Sequence, residues 1–231
     1  MIYKYMARKQ TIVIASLMAL AIVVALLIST VPSTLAQAPG GQAPAAAPAG
    51  PPTAVKLDLT DGSTASYRVQ EQLAGINFPT EAVGTSAGLT GTIMLKPDGS
   101  VDSSQSKLSI DLKTLKSDQD MRDGYIRQRT LETDKFPTAE FVPTKVQGIP
   151  TPLPLMGQAG FQLTGNMTVH GVTKEITWNG LTTFAKDGSI AGRAWTEFDF
   201  PTFGLTKPTL ARLLSVDDKI KLELVFRMKR S

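Results

Sequence analysis

Residues 117–143 run SDQDMRDGYIRQRTLETDKFPTAEFVP, a stretch whose pattern favours a helix, whereas most of the chain around it resembles β-strand. Aspartates are concentrated at its start and Arg127 and Arg129 come later, which is the order that the helix dipole favours. Pro137 ends the helix, because the residue before a proline is pushed out of the α region. From Ala139 onward, apolar and polar residues alternate again. The stretch therefore predicts a helical insert between the two halves of an antiparallel sheet.

The predicted insert has one modest apolar stripe. Met121, Tyr125 and Ile126 stand at positions i, i+4 and i+5, so that they share one side of a helix. We expect this stripe to be buried, like a lid, against an open end of the structure that the strands enclose. Arg127 and Arg129 are expected nearer to the solvent.

Alternation with a period of two residues predicts about eight antiparallel strands, each with one apolar and one polar face. The clearest strands are residues 161–169 and 220–228. Both a sandwich and a closed barrel fit this pattern. Gly91, Gly165 and Gly180 fall on apolar faces, where a barrel needs bends, and they favour an all-β, eight-stranded antiparallel barrel. Gly165 and Gly180 are also expected to leave room for a ligand, so that Gly165→Phe would abolish binding without unfolding the domain.

The N-terminal part of the chain has the pattern of an export segment. Lys4, Arg8 and Lys9 precede an uncharged apolar run over residues 11–28, and small residues follow near Ala36. The run approaches the ~20 residues of a membrane-spanning helix, so residues 1–36 could be a cleaved signal peptide or a retained anchor that tethers the protein to the membrane. In both cases the positive flank places the remainder outside the cytoplasm. Residues 37–54 predict a Pro/Ala/Gly-rich linker, and residues 55–231 predict one folded domain.

Composition excludes several kinds of site. The 231 residues contain no cysteine and a single histidine, His170, which excludes disulfides, thiolate chemistry and a multi-histidine metal site. Of 24 basic residues, three lie in residues 1–38, and the remaining 21 face 20 acidic residues, so nucleic-acid binding has little support. We predict no metal and no cofactor, and we expect His170 to be a turn residue.

Large apolar side chains on the inward faces are the candidate ligand contacts. A barrel of eight strands either fills its interior with side chains or holds one small ligand there, and the pattern alone leaves both possibilities open. The candidates are Phe141, Phe161, Leu163, Met167, Trp178, Phe198, Phe200, Leu222 and Phe226.

Three blocks of the sequence resemble the YceI-like family. The first joins Arg122-Asp123 to FPTAEF at 136–141, and the second, which is the most specific, is LTGNMTVHGVTK at 163–174. The third runs from FDF at 198–200 to FGL at 203–205. The chain departs from the family pattern at residues 130–132, where paired phenylalanines are usual, and at residues 201–202.

The resemblance implies an exported, lipocalin-like barrel that binds a polyisoprenoid or another lipid. We therefore expect a protein that holds a long apolar lipid for storage or transport, in the periplasm or outside the cell, and that is not an enzyme. Arg122 and Asp123 are candidate contacts for a polar head group, although an ion pair within the protein is also open to them. A structural module with a filled barrel and a lipid-modifying enzyme are the alternatives.

Overall fold

The computed structural model describes residues 53–231. The predicted export segment and all but the end of the predicted linker lie outside this range. Inside it, no helix combines the length and the apolar character that crossing a bilayer would require. The predicted folded domain, residues 55–231, lies within the described part of the chain.

The described residues form mostly strands. The only α-helix among them, α1, spans Asp120–Tyr125 and continues into a π-helical turn at Ile126–Thr130. Short 3₁₀ turns lie at Ser103–Gln105, Leu112–Thr114 and Phe200–Phe203. The strands are β1 (Val55–Leu59), β2 (Thr64–Leu73), β3 (Thr80–Ser86), β4 (Leu89–Leu95), β5 (Lys107–Asp111), β6 (Lys116–Ser117), β7 (Thr138–Gln147), β8 (Gly157–Val169), β9 (Val172–Phe184), β10 (Ser189–Asp199), β11 (Leu213–Val216) and β12 (Lys219–Arg230).

The strands close into an antiparallel barrel, which confirms the predicted fold. Hydrogen-bonded neighbours follow the order β1-β4-β5-β7-β8-β9-β10-β12, and β12 returns to β1 through the pairs Leu57↔Arg230 and Leu59↔Met228. Beyond β1, the same edge of β12 pairs with β2, which pairs with β3, which pairs with β6. The segments β1–β2, β3–β4 and β5–β6 therefore act as three interrupted long strands in a ring of eight.

The predicted alternation of faces is present along the strands. In β8, Leu163, Met167 and Val169 are buried inside the barrel, whereas Gln162 and Asn166, at alternate positions, are exposed. Because side chains of a strand alternate between its two faces, register alone places every second residue of β8 in the interior. The buried apolar residues of the barrel form one cluster.

The helical insert differs from the prediction. Met121 is 78% exposed, and Arg122 and Asp123 are buried in its place. Successive residues of a helix point about 100° apart, so a helix that turns Arg122 inward turns Met121 toward the solvent. The expected burial of Met121 is therefore wrong. Ile126 does pack against the core, half-buried, and Tyr125 is also half-buried.

Candidate functional site

The barrel encloses a cavity that side chains leave open. The volume open to the centre of a water-sized sphere is about 290 Å³, and most of the lining side chains are apolar. Its walls come from strands all around the ring, and Ile126 and Leu131 of the insert contribute at one end. Protein interiors rarely contain voids much larger than a water molecule, so this space is not a feature of an ordinary packed core.

The nine candidate contacts named from the sequence all line this cavity. Trp178 is 4% exposed, and its ring meets the ring of Phe141 edge to face at a centroid distance of 6.3 Å. Phe161 and Phe226 form a second edge-to-face pair at 6.0 Å. The structure thus brings the candidates together around one space, and their contact with a ligand stays a prediction. Together they are Phe141, Phe161, Leu163, Met167, Trp178, Phe198, Phe200, Leu222 and Phe226.

Aromatic rings occupy the space over two inward-facing glycines. A Cβ atom on Gly180 would come within 2.3 Å of the Phe161 ring, and one on Gly165 would come within 2.7 Å of the Phe141 ring. Such a ring over a cross-strand glycine replaces the missing side chain and permits a strong local bend. The room at each glycine is therefore taken by a neighbouring ring.

This geometry corrects the expectation for Gly165→Phe. A Cβ atom on Gly165 would also lie 2.4 Å from the carbonyl oxygen of Val142 and 2.7 Å from Cα of Pro143. Because backbone atoms cannot yield as a flexible side chain can, the substitution would disrupt the β7–β8 pairing rather than only fill the cavity.

The cavity has a polar end next to the helical insert. Nη2 of Arg122 lies 2.7 Å from Oε1 of Glu71, and both side chains are less than one tenth exposed. The other terminal nitrogen of Arg122, Nη1, donates to Asp118, which is exposed. Arg122 and Glu71 both line the cavity. The predicted head-group candidate Arg122 therefore reaches the cavity, but as one half of a buried ion pair.

Asp123, the second head-group candidate, has a different surrounding. It is 5% exposed and is not among the residues that line the cavity. Its Oδ1 accepts hydrogen bonds from the backbone N–H and the hydroxyl of Ser117, at 2.9 and 2.6 Å. These bonds tie α1 to β6. Contact between Asp123 and a head group stays a prediction, which its position outside the cavity lining does not favour.

Two hydroxyl groups that sequence patterns did not single out also line the cavity. Tyr67 Oη and Thr130 Oγ1 are buried and have no hydrogen-bond partner within the described part of the chain, and both residues line the cavity. Burial raises the pKa of Tyr67 to about 12, so its hydroxyl stays protonated at neutral pH. One signal was available: Tyr67 and Glu71 fall on the same face of β2 as Ala65 and Val69, where a period of two places polar groups inside.

Comparison with known proteins agrees with this architecture. A family model described as the YceI-like domain matches residues 58–228, most of the folded domain. The chain belongs to the YceI-like family. The resemblance of the three sequence blocks is thereby confirmed.

Curated relatives match this YceI-like chain over part of their length. A UPF0312 protein of Pseudomonas putida (strain GB-1) is 36% identical over 111 residues, which cover 45% of this chain and 54% of the relative. A UPF0312 protein of strain W619 matches to the same extent. The chain thus spans about half the length of the curated relatives that it matches.

Two solved structures share the barrel of this YceI-like domain. A polyisoprenoid binding domain from Saccharophagus degradans, implicated in plant cell wall breakdown, superposes with a TM-score of 0.60 at 14% identity, over 76% of this chain and 98% of that chain. BcnA of Burkholderia cenocepacia superposes with a TM-score of 0.52 at 16% identity, over 71% of this chain and 95% of that chain. At such identities the likeness establishes the fold.

His170 of the YceI-like domain is a turn residue, as predicted. It has a φ of 52° and Gly171 a φ of 76°, and together they form the two-residue loop between β8 and β9. Nε2 of His170 lies 2.8 Å from Oε2 of Glu132. Hydrogen bonds from Lys135 and then from His170 hold the pKa of Glu132 below its usual value. Across residues 53–231, no group of three His, Asp or Glu side chains is placed to hold a metal ion.

Proposed function

We propose that this YceI-like domain binds a long apolar lipid of the polyisoprenoid class inside its barrel, for storage or transport rather than for catalysis. The observation that carries the proposal is the cavity of about 290 Å³ with its largely apolar lining. The family assignment supports it, as does the shared fold of the S. degradans domain, which is described as polyisoprenoid binding.

The physical basis of binding is burial of apolar surface. Transfer of a hydrocarbon chain out of water contributes about 25 cal/mol per Å² of buried surface, before the costs of association. The largely apolar lining suits an unbranched or methyl-branched hydrocarbon chain. A filled-barrel structural module would instead pack its interior with side chains and leave no such space.

The direct test is extraction of the full-length protein with organic solvent and mass spectrometry of the extract. We expect a long-chain lipid to co-purify with the wild-type protein. Ala194→Phe should reduce its amount, because Ala194 on β10 is buried and lines the cavity. Ala191→Phe on the same strand is the matched control, since Ala191 faces the solvent and should retain the lipid.

Two results would contradict the proposal. One is an extract without lipid from a protein that also fails to take up an added isoprenoid. The other is equal retention by the Ala194→Phe and Ala191→Phe variants when circular dichroism shows that both are folded.

We also propose that the domain acts outside the cytoplasm, either released or tethered by residues 11–28. The support is the basic flank of Lys4, Arg8 and Lys9 before an uncharged apolar run. Protease added to cells with a permeabilised outer layer should degrade the domain while a cytoplasmic marker stays intact. Protection of both proteins would overturn this part of the proposal.

A further inference from the structure

The two unpartnered hydroxyls mark a position where a ligand would form hydrogen bonds. Thr130 is 6% exposed, and neither its Oγ1 nor Oη of Tyr67 has a protein partner among the described residues. Buried polar groups in native proteins nearly always have a hydrogen-bond partner, because losing water without replacement is costly. Both residues line the cavity. Tyr67 lies close enough to Arg122 and Glu71 to feel their charges, and Thr130 ends the helical turn that follows α1. Polar atoms of a molecule inside the cavity could therefore bond to each hydroxyl.

The charges of the same end argue against an anionic ligand. Arg122 is the only basic residue among the described residues that line the cavity. Its two terminal nitrogens already face carboxylates, Glu71 on one side and Asp118 on the other. Asp123, another buried carboxylate, lies close enough to contribute to the electrostatic surroundings of Tyr67. Two carboxylates thus hold the one guanidinium while a third lies near Tyr67, and a phosphate would have to displace Glu71 or Asp118 to gain a cation.

The Tyr67 hydroxyl is available as a donor. Its ring lies over Gly84 and occupies the space of the missing side chain, since a Cβ atom there would come within 2.2 Å of Cε1. Since burial raises the pKa of Tyr67 to about 12, the phenol keeps its proton throughout the physiological range. A phenol and an aliphatic hydroxyl both donate one hydrogen bond and can also accept.

Resting on the proposed function, we propose that the polar end formed by Tyr67, Thr130 and the Arg122–Glu71 pair holds the head group of the lipid, and that this head group is uncharged. An alcohol or a carbonyl fits, because its oxygen accepts hydrogen bonds from Tyr67 and Thr130 and brings no charge toward the carboxylates. A phosphate, diphosphate or carboxylate is disfavoured, because Arg122 is already paired on both sides.

The experiment compares three probes on full-length protein from which bound lipid has been extracted. Geranylgeraniol, geranylgeranyl diphosphate and squalene represent an alcohol, an anion and a hydrocarbon. The protein contains two tryptophans, and Trp195 is 45% exposed on the outer face, so Trp195→Phe leaves the cavity-lining Trp178 as the only reporter of binding by fluorescence. We expect the alcohol to bind at least about tenfold more tightly than the diphosphate.

The double variant Tyr67→Phe/Thr130→Val tests the named hydroxyls. It should weaken geranylgeraniol binding by about tenfold, which is the scale of two lost hydrogen bonds, and leave squalene binding unchanged. Without ligand, its melting temperature should equal or exceed that of the parent, because the substitutions remove unpartnered buried hydroxyls. Thr183→Val on the exposed face of β9 is the control and should alter neither quantity.

The outcomes separate this inference from the proposed function. Diphosphate binding as tight as alcohol binding would overturn the uncharged head group. An unchanged alcohol affinity in the folded double variant would overturn the roles of Tyr67 and Thr130, while squalene binding would still support a lipid-binding barrel. Failure of all three probes to bind would overturn the proposed function and this inference with it.

Discussion

Gly180 lies on the inner face of β9 beneath the ring of Phe161, where a methyl group does not fit. A Cβ atom there would be 2.3 Å from Cζ of Phe161 and 2.8 Å from the carbonyl oxygen of Arg193. We expect Gly180→Ala to lower the free energy of unfolding by about 1–3 kcal/mol, because overpacking displaces the ring and separates the strands. Denaturant unfolding of the full-length protein measures this change.

Gly160, on the neighbouring strand β8, provides the control. A Cβ atom at Gly160 would have no neighbour closer than 3.7 Å, from Cδ2 of Leu181. Gly160→Ala should therefore change the free energy of unfolding by no more than about 0.5 kcal/mol. If both substitutions lower the free energy of unfolding equally, the cost comes from the backbone conformation at these glycines and not from a clash with a covering ring.

At the level of single residues, a period of two identifies the residues that line the cavity, Tyr67 and Glu71 included, but it does not reveal the ion pair at the polar end. The inward position of Leu163 or Met167 follows from register alone, so the pattern identified both. Glu71 also lies on an inner face, but its partner Arg122 is 51 residues further along the chain. No local pattern links two residues at that separation, and the pairing depends on how the insert docks.

The insert, as an element, is fastened to the barrel by the Arg122–Glu71 pair. Both side chains are less than one tenth exposed, so removal of one leaves the other charged and buried. We expect Arg122→Met to lower the free energy of unfolding by about 3–5 kcal/mol. Adding Glu71→Gln should restore part of this loss, because a buried pair replaced as a unit is often nearly neutral.

Unfolding curves of the two variants decide this prediction. The exposed pair Lys219–Glu197, with side chains 55% and 53% exposed, supplies the comparison. Glu197→Gln should change stability by about 0–1 kcal/mol, since solvent screens such pairs. If the double variant is no more stable than Arg122→Met alone, the cost does not arise from an uncompensated Glu71 charge.

The boundaries of the insert show where local sequence preference is overridden. The aspartates at the start of residues 117–143 favoured a helix from the beginning of this stretch, yet Ser117 pairs with Gly84 as part of β6. Asp123 then bonds to Ser117 instead of stabilising a helix start, and α1 begins at Asp120. The same residues can pair as a strand across the barrel or start the helix. The sequence of the insert alone does not predict which of the two they form.

For the molecule as a whole, the number of strands could be predicted and the breaks within them could not. Alternation gave about eight strands, and the ring has eight. The interruption between β1 and β2 is bridged by Ser63, which is 3% exposed and accepts a hydrogen bond from Arg227, 164 residues away. The open volume inside the barrel likewise depends on how rings lie over glycines of neighbouring strands.

Barrel closure leads to the last prediction, because the break between β1 and β2 falls on the seam with β12. Ser63 bridges this break: its hydroxyl donates to the carbonyl oxygen of Thr60 at 2.9 Å and accepts from the backbone N–H of Arg227 at 2.9 Å. Ser63→Ala leaves that N–H without a partner, and we expect it to lower the free energy of unfolding by about 1–3 kcal/mol. A seam weakened at this point should also release the proposed lipid faster, since the seam separates the cavity from the solvent.

Ser215→Ala, at an exposed position of β11, is the control for both denaturant unfolding and lipid retention. If Ser63→Ala matches this control in both measurements, the Ser63 hydroxyl does not hold the seam, and closure rests on the backbone pairing of β12 with β1 and β2.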